Sequence, residues 1–186
     1  MKLKILNAIM SLITTVMLLV HIGYNVYAYL TFSYNPVLTE TLSYCLLTAM
    51  CLHAVLGMCS VFLLGDGTRL SSYPGQNLRT VIQRVTAAFI FPLLLLHINS
   101  YSLLVISAEG GQWIVFGLLV MSEICFYGII IMHAAVSLSR AFITLGWLIS
   151  RKRQKTLDRI IYIVSAALFL LAAVSVIRTQ IIMFAL

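Results

Sequence analysis

The side chains with the most chemistry in this chain are four histidines. His21, His53, His97 and His133 each fall inside a different long apolar run, and none lies in a polar connection. A neutral imidazole in hydrocarbon still has one donor and one acceptor to satisfy. A neighbouring serine or carbonyl meets that need for one histidine. Four of them, one per helix, point instead to metal or haem ligation, because ionisable groups inside membrane segments are rare unless functional. The stretch VIQRVTAAFIFPLLLLHIN (81–99) shows the pattern best: a Gln83-Arg84 pair, a run of hydrocarbon, then His97.

These imidazoles need long helices to hold them. With 62% hydrophobic and 9% charged residues among 186, and a mean hydropathy of +1.06, the composition is far from a soluble domain's roughly one quarter charged. It predicts an all-α integral membrane protein, one membrane domain over residues 1–186. Five runs reach the ~20 residues a spanning helix needs: about 5–30, 41–64, 81–107, 113–139 and 160–184. The first follows Lys2 and Lys4, continues past the length of a secretory signal and lacks a small-x-small cleavage pattern, so it reads as a retained helix.

The net charge of +7 reflects orientation rather than nucleic-acid binding. Basic residues gather at the N-terminus, in the second loop (GDGTRLSSYPGQNLR) and in the fourth (SRKRQKTLDR), whereas the first and third loops hold only Glu40 and Glu109; Arg178 is the outlier. The positive-inside rule then puts the N-terminus inside and the C-terminus outside. Cys45, Cys51, Cys59 and Cys125 lie in spans without CxxC spacing and read as buried free thiols.

Within the runs, Thr14, His21 and Asn25 share a face of helix 1, which should look inward. Pro36 opens a turn, with Thr39 as the expected N-cap of helix 2. On helix 2, Ala49, His53, Gly57 and Ser60 share a face; the small residues suit either something wide and flat or close helix packing. Helix 3, expected from near Thr80, should kink at Pro92. Helix 4 carries Glu123 above His133, then Ser137 and Arg140 on the same face.

Depth sorts the histidines. At about 1.5 Å per residue, His21 lies ~25 Å from Lys4 and His97 ~20 Å from Arg84, while His53 lies ~18 Å from Gly65 and His133 ~10 Å from Arg140. His21 therefore pairs with His97 at the outer level and His53 with His133 at the inner one. Zinc wants its ligands gathered at one point, and a c-type haem needs C-x-x-C-H; two levels of two imidazoles fit two non-covalent b haems and an electron path across the bilayer. Arg84 and Arg140, near inner helix ends, are candidates to pair with haem propionates; Glu40, at the outer mouth of helix 2, and Glu123, an acid within a span, are candidates to take or give protons. A colourless transporter or proton channel with a His and Glu relay is the alternative from a different class.

The segment IQRVTAAFIFPLLLLH resembles the QRVTG sequence, followed about eleven residues later by a ligand histidine, of the five-helix dihaem cytochrome b subunits of succinate:menaquinone oxidoreductases and quinol:fumarate reductases. CLHAVLGM resembles that family's H-A-x-x-G segment, and His133-Ala-Ala-Val-Ser-Leu-Ser-Arg with AFITLGW resembles its fourth helix and inner extension. Ala87 stands where QRVTG has glycine. The resemblance covers nearly the whole chain. It implies two haem b groups on the four histidines and a place in a bacterial cytoplasmic membrane. It also implies a flavoprotein and an iron-sulfur subunit on the inner face, with electrons passing between the latter and menaquinone. Dicarboxylate chemistry would belong to the flavoprotein. A cytochrome b subunit of another quinone-linked oxidoreductase is the nearest variant of this reading.

Overall fold

The computed structural model describes residues 2–64 and 74–184, with side chains placed for all of these but 64 and 74–76. Five long helices account for nearly all of the described chain: α1 (Lys2–Thr31), α2 (Pro36–Leu64), α3 (Pro74–Glu109), α4 (Trp113–Thr144) and α5 (Arg151–Phe184). Each is long and apolar enough to cross a membrane. Side chains such as Phe62, Ile114 and Ile149 stand more than four-fifths exposed. Helices apolar on every side, with outer faces like these, belong in hydrocarbon rather than water.

Several ends differ from the sequence reading. α2 begins at Pro36, not near residue 41, because Asn35 and not Thr39 is its N-cap: Asn35 Oδ1 accepts from Leu38 N–H at 3.1 Å, and proline follows at the first helical position, where its missing N–H costs nothing. Thr39 instead donates its hydroxyl to the Asn35 carbonyl. Tyr24 Oη accepts from Asn35 N–H at 3.0 Å and so pins this turn to α1.

α3 is helical from Pro74 rather than Thr80 and runs without interruption through Pro92. α4 continues five residues past Ser139, and the basic SRKRQKTLDR segment is helix from Arg151 onward. Only 145–150 remains as a connection, with Gly146 at φ 77° closing α4. Residues 65–73 of the second loop, Arg69 included, lie outside the described residues.

The end of α1 shows how the C-terminal part of α5 is used. Phe32 takes φ 54°, a left-handed value that a bulky residue adopts only when its surroundings impose it. The Arg178 guanidinium stands 5.5 Å over its ring and donates to the Leu30 carbonyl at 3.3 Å, while Thr179 Oγ1 donates to the Tyr29 carbonyl at 3.2 Å. A cation and a hydroxyl thus satisfy the unpaired carbonyls at a helix C-terminus, which explains the basic outlier.

α3 packs most extensively on α4, α1 on α2, and α5 lies against α4 and α1, while α1 also meets α4. The shared core is Leu18, Ile22, Leu46, Phe126, Ile130, Ile131 and Ala172. At Gly128 an added Cβ would come 3.3 Å from the Phe169 ring, so a side chain there would require this ring of α5 to give by a few tenths of an ångström. Beyond its partner α1, α2 stands largely apart from the other helices. The cysteines are free, as expected, but Cys45, Cys51 and Cys125 are exposed on outer helix faces rather than buried.

Intrahelical hydroxyl bonds remove most remaining polarity from the apolar segments: Thr15 donates to Ser11, Ser137 to His133 and Ser175 to Leu171 carbonyls. Hydroxyls satisfied within their own turn need no water.

Candidate haem-ligating sites

Two separate places in the bundle gather the four imidazoles in couples. At the end nearest the 32–35 and 110–112 connections, a cavity of about 340 Å³ is lined by His21 from α1 and His97 from α3, together with Asn25, Tyr29, Glu40, Tyr44, Phe126 and Tyr127. Thr14, His21 and Asn25 do face inward: Thr14 Oγ1 donates to the Ala49 carbonyl of α2 at 3.2 Å, and the other two border the cavity. Asn25 Nδ2 bonds the His21 carbonyl at 2.8 Å and lies 3.2 Å from His21 Nε2. Among the described residues the buried His21 Nδ1 finds no hydrogen-bond partner.

His97 is held from three directions. Its Nδ1 is 2.7 Å from Glu123 Oε2 of α4, its face stacks on Phe126 with centroids 4.9 Å apart, and Tyr127 meets it edge-on at 5.8 Å. Glu123 is only 4% exposed. This carboxylate therefore lies beside an imidazole rather than at the cavity rim. Glu40, which is exposed, occupies the rim with Tyr44.

The second couple joins α2 and α4, which share the core at Leu46 and Phe126 but otherwise meet little. The rings of His53 and His133 are 6.4 Å apart, centroid to centroid, with planes inclined at 67°. That separation and tilt are within the range of an ordinary edge-to-face ring pair, so it is the hydrogen bonds that show which nitrogens would be free to hold a metal.

His133 Nδ1 lies 3.1 Å from the Gln83 carbonyl and 2.9 Å from Thr86 Oγ1, whose own hydrogen goes to the Ile82 carbonyl at 2.8 Å. A carbonyl can only accept, so Nδ1 carries the hydrogen and Nε2 keeps its lone pair, the tautomer in which metal-binding histidines are held. Among the described residues the buried His53 Nδ1 finds no partner. One turn further along α2, none of the described residues lies within 4 Å of where a Gly57 Cβ would be. Close helix packing therefore explains Ala49 on this face but not Gly57.

Gln83 and Thr86 were not expected as functional residues. Their signal was present in the IQRVT motif, where an i, i+3 spacing places a carbonyl and a hydroxyl on one side of a helical turn. Gln83 serves again: its Oε1 accepts from Arg140 Nη1 at 3.1 Å, and the same Nη1 reaches Thr80 Oγ1 at 2.7 Å. Arg140 is thus fixed to α3 one turn beyond the His133 contacts. Arg84 is half-buried next to Gln83 in the chain. Among the described residues no three His, Cys, Asp or Glu side chains converge as a set for one ion.

Asp158 was also missed, a single acid inside a basic run. It is 8% exposed and takes Arg79 Nη2 at 2.6 Å, while Arg79 Nη1 reaches Ser139 Oγ at 3.3 Å. This clasp ties α3, α4 and α5 together at the end where the basic residues collect. Removing one member of a buried ion pair leaves the other uncompensated, which costs ~3–5 kcal/mol when both are fully buried. With Arg79 about a quarter exposed, Asp158→Asn is expected to lower stability by about 2 kcal/mol. Thermal unfolding in detergent, with Arg79→Gln adding little to the double substitution, checks this.

Compared with family models, with curated proteins and with solved structures, the chain matches none of them.

Proposed function

We propose that this chain is the dihaem cytochrome b membrane subunit of a quinone-linked oxidoreductase of the succinate dehydrogenase or fumarate reductase type. His21 and His97 would hold one haem b, and His53 and His133 the other. The observation that carries the reading is the sorting of four intrahelical imidazoles into two couples. Each couple has one ring tethered through Nδ1, His97 to a carboxylate and His133 to a carbonyl and a hydroxyl. Each also has one ring with a buried nitrogen that finds no partner among the described residues, His21 and His53. Buried polar atoms left without a partner in an apolar bundle are costly unless something else engages them. A transporter relay would call for a continuous file of such groups rather than two isolated couples.

Bound at these positions, haem supplies reversible one-electron transfer. The protein's part is to fix the donors, to exclude water with the Leu18, Ile22 and Phe126 core, and to set the polarity around each imidazole. Glu40, at the rim of the cavity that His21 and His97 border, is the candidate to take or give the proton that accompanies turnover of a membrane quinone such as menaquinone. Arg140 and Arg84, on the facing turns of α4 and α3 below the second couple, are the candidates for holding propionates. Lys2, Lys4 and the basic start of α5 put the N-terminus on the inner side of a bacterial cytoplasmic membrane. A flavoprotein and an iron-sulfur subunit would dock on that face.

A reduced-minus-oxidised absorption spectrum of membranes carrying this chain tests the proposal. The expected result is a b-type difference spectrum and a pyridine haemochrome content of two haems per chain. Colourless purified protein would overturn the reading in favour of a transporter or channel.

A further inference from the structure

We propose that Glu123 is a positioning residue for His97, making this imidazole a stronger electron donor than a carbonyl partner would. The inference rests on the haem reading above and adds to it a named determinant of one haem's potential. Three observations carry it. The Oε2 to Nδ1 distance of 2.7 Å is that of a charge-assisted bond, which spans about 2.7–2.9 Å. Glu123 is buried at 4% exposure, where a carboxylate persists only if paired and hydrogen-bonded. Among the described residues its Oε1, also buried, finds no hydrogen-bond partner; the carboxylate is held by His97 and by the Tyr127 hydroxyl.

The chemistry follows from direction. An ionised Glu123 can only accept, so the bond runs from Nδ1–H and leaves Nε2 with its lone pair facing away from the carboxylate. A carboxylate partner pulls on the Nδ1 hydrogen harder than a neutral carbonyl does, which raises the basicity of the other nitrogen. Phe126 stacked on the ring and Tyr127 at its edge prevent the imidazole from turning away. His133 has the contrasting arrangement, with the neutral Gln83 carbonyl and Thr86 hydroxyl on its Nδ1. The chain thus supports its two tethered imidazoles with acceptors of different charge. More donation to iron favours the ferric state, so Glu123 should hold the potential of the His21/His97 haem down.

The test is a potentiometric titration of the haem absorbance of the purified, haem-loaded full chain and of Glu123→Gln, which keeps size and an acceptor oxygen but not the charge. The variant is expected to retain both haems and to shift the ferrous to ferric ratio of the His21/His97 haem about tenfold toward ferrous at fixed ambient potential, a rise of about 59 mV for one electron. The other haem stays where it was, and the low-spin ferric resonance of the affected haem moves as its axial field weakens. Glu123→Asp, charged but one methylene shorter, should shift the same haem in the same direction by less.

A packing role alone would lower haem content or disturb both haems without this charge-dependent order. Unmoved potentials in a Glu123→Gln protein that still binds two haems would overturn the inference and leave the haem reading intact. Colourless wild-type protein would overturn both. If neither variant assembles, the redox-induced infrared difference spectrum of the unaltered protein decides: a carboxylate band shifting at the potential of this haem supports the proposal, and its absence overturns it.

Discussion

His53→Ala is expected to halve the haem content of the purified protein, from two per chain to one, and His97→Ala to do the same with the opposite haem remaining. The two couples are independent because they share no residue and lie at different levels: Glu123 and His133, which mark the levels on α4, are ten residues apart, or roughly 15 Å along a helix. Losing an outer hydrogen-bond partner of a metal-bound histidine costs roughly 10–100-fold in affinity, and losing the donor itself costs more. Titrating each variant spectroscopically identifies the survivor, since the His97→Ala protein retains the haem whose imidazole is tethered to Gln83 and Thr86. Full haem content and an unchanged spectrum in both variants would show that these imidazoles are not the ligands.

Gly57→Leu is expected to act in opposite directions on stability and on haem content. Where a helix glycine supports close packing, a larger side chain separates the helices and destabilises the protein. At Gly57 an added Cβ meets none of the described residues within 4 Å, so the substitution replaces a poor helix former with a good one, a gain of roughly 0.5–1 kcal/mol. The same leucine extends into the space one turn from His53, between α2 and the helices from which it stands apart. The predicted outcome is a chain that unfolds at higher temperature without haem and holds the His53/His133 haem poorly or not at all. Unfolding measured alongside haemochrome content checks both signs. A loss of stability with normal haem content would return Gly57 to a packing role.

Both experiments depend on the relation of α2 to the rest of the bundle, which the amino-acid pattern did not contain. The apolar runs located all five helices, because segments of this length and hydropathy admit few alternatives. Boundaries were less legible. α2 starts five residues early because Asn35 and Pro36 act together as a cap, and α5 starts at Arg151 because a run of lysine and arginine is compatible with helix as well as loop. The cysteines were misread as buried since a thiol's hydrophobicity does not say which face of an all-apolar helix looks inward.

The positions of His21, His53, His97 and His133 along their helices follow from the sequence alone, since a fixed rise per residue converts spacing into depth. So does the polar stripe of α1, because residues seven and four apart must share a face. Which groups approach the imidazoles was decided by tertiary structure. Helix rotation and crossing brought Glu123 to His97, Gln83 and Thr86 to His133, and Asp158 to Arg79, contacts spanning 26 to 79 residues. A helix rotated by a third of a turn would keep every depth and lose each of these bonds. Periodicity records height and facing within one helix; the angle between two helices is set by side-chain packing along their whole length, and no local stretch encodes it.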